Sequence, residues 1–276
     1  MKIKNNIFYL GISGSNSFLA SKMFSKNSQL VGCKTISEVF DKTVSNMGSL
    51  GIVPVENSTT GSILETFDAI LKKRLIICGE IILRIHHHLL SKSNKINIKD
   101  FKRCFSHPQA FSQCQKQINL MKNVSVEFTS DTASAAKFIS ERGNIDDVAI
   151  ANNLCARIYN LEIIKSQIED NRENFTRFFV VGSKEIIVGN KVTFVFSVAH
   201  QPGSLVKTLI PFAKWRLNLT KIESRPIPSK PWEYLFFVDM EISTKKIFMK
   251  AIREIKSSTN FIKILGFYPK GKIYEA

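Results

Sequence analysis

The chain has 276 residues, 44% of them apolar and 22% charged, a composition for a globular protein with more core than one ordinary domain holds. Lysine and arginine number 39 against 23 aspartates and glutamates, a net charge of +16, but the excess is spread: residues 191–276 carry 15 against 6 and residues 1–190 carry 24 against 17. Without a dense basic run this speaks against nucleic-acid binding, and no apolar run approaches the roughly 20 residues that cross a bilayer.

The first apolar stretch, residues 7–12, is too short for a secretory signal and gives way at once to Ser13-Gly-Ser-Asn16, so a first strand of a cytoplasmic protein is expected. Strand patterns then fall at 7–11, 51–56, 76–85, 102–106, 124–129, 148–151 and 177–182. Helical spacings fall at 17–24, 36–44, 63–71, 110–118 and 132–139. This alternation predicts an α/β domain over residues 1–185 with mostly parallel strand pairing. Gly11 and Gly14 mark its first strand-to-helix turn, but they do not make Gly-x-Gly-x-x-Gly, so no dinucleotide is expected. Five scattered cysteines without a Cys-x-x-Cys argue against a disulfide framework or a thiolate metal site. In the run His86-His87-His88 only His86 and His88 would share a side of a strand, with no acidic or cysteine partner close by in sequence, so no metal is expected there.

From residue 191 the rhythm changes. Strands at 192–199, 219–227, 234–242 and 261–268 and helices at 204–215 and 245–256 give the order β-α-β-β-α-β, the ferredoxin-like plan. Between 235 and 240 both alternating sets are largely apolar, which predicts burial on both faces.

The most informative segment is Gly51-Ile-Val-Pro-Val-Glu-Asn-Ser-Thr-Thr-Gly-Ser62. A short apolar strand runs into an acid, an amide and a row of hydroxyls, and a helical spacing follows. Polar side chains and free helix N–H groups would converge there, a setting for an anionic ligand.

Four motifs stand in order: Gly51–Ser58, Ser106-His-Pro-Gln-Ala-Phe111, Asn174-Phe-Thr-Arg-Phe178 and Lys221-Ile-Glu-Ser-Arg-Pro226. Together they closely resemble a bacterial prephenate dehydratase, a catalytic domain followed by a regulatory ACT domain, over essentially the whole chain. Pro231-Trp-Glu and Lys263-Ile-Leu-Gly-Phe-Tyr-Pro269 look like the enterobacterial form, in which a chorismate mutase domain usually comes first. With a first strand near residue 7 no such domain is expected here.

The resemblance implies a two-lobed, type II periplasmic-binding-protein-like catalytic domain at 1–185 and an ACT domain at 191–276. It also implies conversion of prephenate to phenylpyruvate in phenylalanine biosynthesis. No metal or organic cofactor is implied. Prephenate is the substrate partner, phenylalanine the effector, and a homodimer or homotetramer would form through the ACT domains.

The expected catalytic residues are Thr176, Glu56, Asn57 and Gln109. Thr176 is the family's signature position; too weak an acid to protonate a leaving group alone, it would donate a preorganised hydrogen bond. Glu56 would either hold a proton through a raised pKa or stay ionised and orient Asn57 and Ser58. Ser58, Gly61, Ser62, Ser15 and Ser17 would supply donors to the substrate. Arg177 could pair with a carboxylate, but as Thr176's neighbour on a strand it would face the other side, which favours an ion pair. His107, next to Pro108, could titrate or be structural.

The first loop departs from the family pattern Gly-Pro-x-Gly-[Ser/Thr]-aromatic-Ser, having Asn16 where the aromatic stands. By the same resemblance, the phenylalanine pocket would use Gly203, Ser204, Leu205 and Val206 with Glu223, Ser224, Arg225 and Pro226. The competing readings are a decayed dehydratase serving as a phenylalanine sensor and a solute-binding receptor of the same fold.

Overall fold

The computed structural model describes residues 6–121, 123–184, 189–227 and 230–276. Two compact units emerge. One comprises the residues through Lys73, Ile81–Val180 and Lys272–Ala276; the other comprises Arg74–Glu80 and Val181–Gly271.

The elements of the first stretch are β1 (Asn6–Leu10), α1 (Asn16–Phe24), β2 (Gln29–Cys33), α2 (Ile36–Ser45), β3 (Leu50–Asn57), the two-residue β4 (Gly61–Ser62), α3 (Leu64–Lys72) and β5 (Ile76–Arg84). Then come β6 (His88–Ser91), β7 (Arg103–Ser106), α4 (Pro108–Gln113), α5 (Gln115–Leu120), β8 (Ser125–Phe128), α6 (Thr132–Arg142), β9 (Asp147–Ala151), α7 (Asn153–Tyr159), β10 (Glu162–Lys165) and β11 (Phe175–Gly182). The helical spacing expected at 110–118 is broken at Cys114 into α4 and α5.

Two sheets result. One has the order β16-β5-β11-β3-β1-β2, where β16 is Ile273–Glu275, with β4 folded back on β3; the other has the order β10-β6-β9-β7-β8. Their β1–β2, β1–β3, β7–β8, β7–β9 and β5–β16 pairs are parallel. The core strands are runs of Ile, Val, Phe and Ala, as strands covered on both faces require. The chain passes from the first sheet to the second through residues 85–87 and returns through 166–174. These passages bond to each other, Ile168 N–H to His87 O at 2.8 Å and Ile85 N–H to Asn174 O at 2.7 Å. The first unit is thus the expected α/β fold with two lobes.

In the other unit β12 (Lys191–Ser197), α8 (Ser204–Lys214), β13 (Asn218–Ile227), β14 (Lys230–Glu241), α9 (Lys245–Ile255) and β15 (Phe261–Tyr268) form an antiparallel sheet of order β13-β14-β12-β15. One face packs Phe194, Val238 and Met240 against Phe212 of α8 and Phe248 of α9. Removing one such phenylalanine ring costs about 3–5 kcal/mol. On the opposite face Phe237 and Asp239 are also buried, and Asp239 accepts a hydrogen bond from Thr193 Oγ1 at 2.6 Å. Within this unit residues 74–80 lie close to β15: a Cβ at Gly266 would fall 2.0 Å from Ile77 O. A buried ion pair joins Glu80 to Lys191 at 2.9 Å.

Candidate active site

A cleft of about 1030 Å³ opens between the two sheets of the first unit. One side is lined by Tyr9, the loop from Gly11 to Ser17, Asn57, Thr176 and Phe178. The other is lined by His107, Gln109, Gln113, Asp131 and Ser134.

The first loop is tightly built. Gly11 and Gly14 take φ of 94° and 92°, and a Cβ on Gly14 would stand 2.9 Å from Cys155 Sγ, so only glycine fits there. Ser15 caps α1 by accepting from Phe18 N–H, and its hydroxyl donates to Leu10 O. The other lobe holds the loop as well: Tyr159 donates to Ser13 O at 2.6 Å, and Asn152 Nδ2 donates to Gly14 O and to Asn16 Oδ1. The unusual Asn16 is therefore an anchor between the lobes. Apolar walls come from Ile12, Ile36, Ile63, Ile85 and Phe178 instead.

Asn57 and Thr176 meet at the floor. Asn57, 5% exposed, donates from Nδ2 to Thr176 Oγ1 at 3.0 Å and to Asn174 Oδ1 at 2.8 Å. Its Oδ1 accepts from the N–H groups of Thr59 and Thr60 at 3.0 and 3.1 Å. Held from both ends, the amide offers the Thr176 oxygen a donor that it shares with Phe175 O at 3.1 Å. Among the described residues the Thr176 hydroxyl hydrogen has no acceptor, so it is left to point into the cleft.

From the opposite lobe Gln109 Nε2 donates to Thr60 Oγ1 and Gln113 Nε2 to Thr59 Oγ1, each at 2.6 Å. Gln113 Oε1 accepts from Asn174 Nδ2 at 3.0 Å and from His87 Nε2 at 2.8 Å. Burial holds the His87 ring below the usual histidine range, partly offset by the hydrogen bond to Gln113. Burial lowers His107 likewise, against the pull of Asp131. His107 accepts from Gln109 N–H at Nδ1, leaving the other nitrogen to carry the proton. It is thus the N-cap of α4 as well as part of the cleft lining.

Glu56, Ser58, Gly61 and Ser62 lie outside this cleft, against the sequence expectation, whereas Arg177 makes the ion pair that its place on the strand favours. Successive side chains on β3 alternate, so with Asn57 turned to the cleft Glu56 faces away. There it pairs with Arg177 at 3.1 Å, and neither belongs to the cleft lining. Arg177 also stacks over Phe179, 5.1 Å from the ring centre. Ser58 ties β3 to β11, donating to Glu173 O and accepting from Phe175 N–H, both at 2.9 Å. Gly61, with φ of 85°, and Ser62 close the hairpin that folds β4 back onto Glu56 and Asn57. They shape the end of the strand and are not cleft residues.

Sequence reasoning missed Gln113, Asn174 and His87. Gln113 follows Gln109 by four residues on one helix face, and Asn174 precedes Thr176 by two on an extended chain, so both spacings were readable. His87 carried no such signal. His86 hydrogen-bonds Glu169 at 2.7 Å, and the Glu169 carboxylate accepts from His87 N–H. Burial opposes the Glu169 charge, but these bonds outweigh it and hold its carboxyl below the usual range.

In the second unit Gly203, with φ of 80°, precedes α8, where Ser204, Leu205 and Val206 form the first turn; Val206 is exposed. Glu223, Ser224, Arg225 and Pro226 lie on β13, an edge strand.

Residues 7–186 match the family model described as prephenate dehydratase. The arogenate dehydratase/prephenate dehydratase 2 of Arabidopsis thaliana is 35% identical over 95% of this chain and 72% of its own length. A solved prephenate dehydratase from Arthrobacter aurescens in complex with L-Phe aligns with a TM-score of 0.86 at 25% identity, covering 96% of this chain and 90% of that one. A structure described as GqqA, a quorum quenching acylase, aligns equally well at 0.86 and 27% identity, covering 97% and 98%.

Proposed function

The chain belongs to the prephenate dehydratase family, and from that premise we propose that Thr176 donates the hydrogen bond that helps the departing oxygen leave. Prephenate carries two carboxylates and a ring hydroxyl. The C–C bond to the ring carboxylate breaks, its electron pair moves through the ring, and the C–O bond at the opposite ring carbon breaks. Taking up one proton, the dianion yields phenylpyruvate, carbon dioxide and water, and the ring becomes aromatic. Because the product is far downhill, the chain's task is to hold the dianion and ease the loss of hydroxide.

The single observation that carries this reading is the Thr176 hydroxyl, fixed by Asn57 with its hydrogen free for the cleft. Lys34 supplies a cation in the lining beside the acids Glu65 and Asp131, and the N-terminus of α1 brings a positive dipole end to the same space, while that of α6 is capped by Asp131. Asn57 donates to the Thr176 oxygen and cannot accept its proton, so this pair is no nucleophile–base arrangement of the kind an acylase requires. Gln109 and Gln113 position the 57–60 turn from the other lobe.

Residues 191–276 are the regulatory part of this reading. Their β-α-β-β-α-β order supports an ACT domain, and the Arthrobacter relative supports phenylalanine as effector. Phenylalanine would bind between paired domains at Gly203–Val206 and Glu223–Pro226 and favour a less competent cleft.

Mixing the protein with prephenate and following phenylpyruvate tests the activity; no product would leave the phenylalanine-sensor reading. Arogenate run in parallel decides between the two substrates in the plant relative's name. Calorimetry with phenylalanine tests the regulation, and no binding would remove it.

A further inference from the structure

A second cavity of about 640 Å³ lies away from the cleft, beside α7 and β10 in the second-sheet lobe. His88 lines it and is only 6% exposed. Both its ring nitrogens are buried with no hydrogen-bond partner among the described residues. A buried imidazole has one donor and one acceptor to satisfy, and leaving them unmet costs about 1–3 kcal/mol each. Its two neighbours in sequence are both engaged, His86 with Glu169 and His87 with Gln113. The mechanism has no use for His88.

The rest of the lining is chemically mixed. Arg157 offers a cation and Glu162 a carboxylate, and neither has an ion-pair or hydrogen-bond partner among the described residues. Asn153, Asn160 and Ser166 add amide and hydroxyl groups; Ala156, Leu161 and Ile163 add an apolar wall. An arginine fork suits a carboxylate, and a nearby glutamate suits an ammonium while disfavouring a polyanion such as phosphate.

We propose that this cavity is a binding site for a zwitterionic α-amino acid. Its carboxylate meets Arg157 and, once the ring turns a covered nitrogen outward, the His88 N–H; its ammonium meets Glu162, and an apolar side chain lies against Leu161 and Ile163. The site is distinct from the cleft and from the phenylalanine segments of the second unit, and it does not depend on either assignment.

The test is NMR of the His88 ring in the full chain, titrated with L-leucine, with N-acetyl-L-leucine (no ammonium) and with L-leucinamide (no carboxylate). Leucine shifts the His88 signals saturably, and each blocked form binds at least about tenfold more weakly. Arg157→Gln and Glu162→Gln, both at the surface and outside the cleft, each weaken leucine by about tenfold or more and leave prephenate turnover unchanged. N-acetyl-leucine binding as well as leucine overturns the zwitterion assignment. His88 signals that stay still at millimolar leucine overturn the site itself.

Discussion

On the paired strands β3 and β11, two sets of adjacent residues live in opposite surroundings. Asn57 and Thr176 turn into the cleft, where an amide and a hydroxyl are held by neutral partners from both lobes. Glu56, the residue before Asn57, and Arg177, the residue after Thr176, turn away and neutralise each other. The charged face looks more like an active site in the sequence, since it contains an acid and a guanidinium. In the proposed reading the cleft face does the chemistry, because its polar atoms are fixed before substrate arrives and fixed dipoles stabilise developing charge without reorganising.

The sharpest way to break this contrast is to unlock the amide. Asn57→Ala removes the bond that orients Thr176 and leaves the Asn174 and Thr59 groups without it. Turnover should fall by about tenfold to a hundredfold, and stability by about 1–3 kcal/mol, read in steady-state kinetics and urea unfolding. Wild-type kcat in this variant would mean the network is only structural.

A second, smaller effect is expected from acid. Burial lowers the pKa of His87 and His107 in the fold, so between the folded and unfolded values the unfolded chain binds more protons. Their neutral state therefore contributes stability fully above the unfolded value of about 6.5, and this is lost as pH falls below it. Unfolding measured from about pH 7.5 to about pH 5.5 should show that loss, with a shallower slope in His87→Asn. An unchanged slope would remove His87 from the account. Glu169 adds to the loss only further down, below the usual glutamate range.

The smallest effect on turnover belongs to the outer face. Glu56→Gln should leave kcat within a few-fold and cost about 1–3 kcal/mol of stability, because it removes the charge opposite the largely buried Arg177. A hundredfold fall would move the acid back into the mechanism.

Much of the architecture was legible because the periods are strong. The strands at 51–56 and 177–182 and the β-α-β-β-α-β run after 191 are dense in Val, Ile and Phe, and the observed elements lie within a few residues of them. Strands such as Gln29–Cys33 and His88–Ser91 were not legible; they are short and polar or lie next to the histidine run, and sheet pairing overrides their weak local preference. At the site the alternation rule separated Thr176 from Arg177 but was not carried across to Glu56 and Asn57, where the same rule decides the matter. Gln113 and Asn174 needed only spacing. The cross-lobe bonds from Asn152 to the first loop join residues 136 and 138 positions apart, and nothing local in the chain announces them.

The most direct measurement compares Thr176→Ser with Thr176→Val under saturating prephenate. Serine keeps the hydroxyl and valine keeps the shape without it. The account predicts kcat within about tenfold of wild type for serine and a fall of about 10²-fold or more for valine, with KM little changed. A valine variant that turns over like the serine one would show that the hydroxyl does not assist the leaving oxygen.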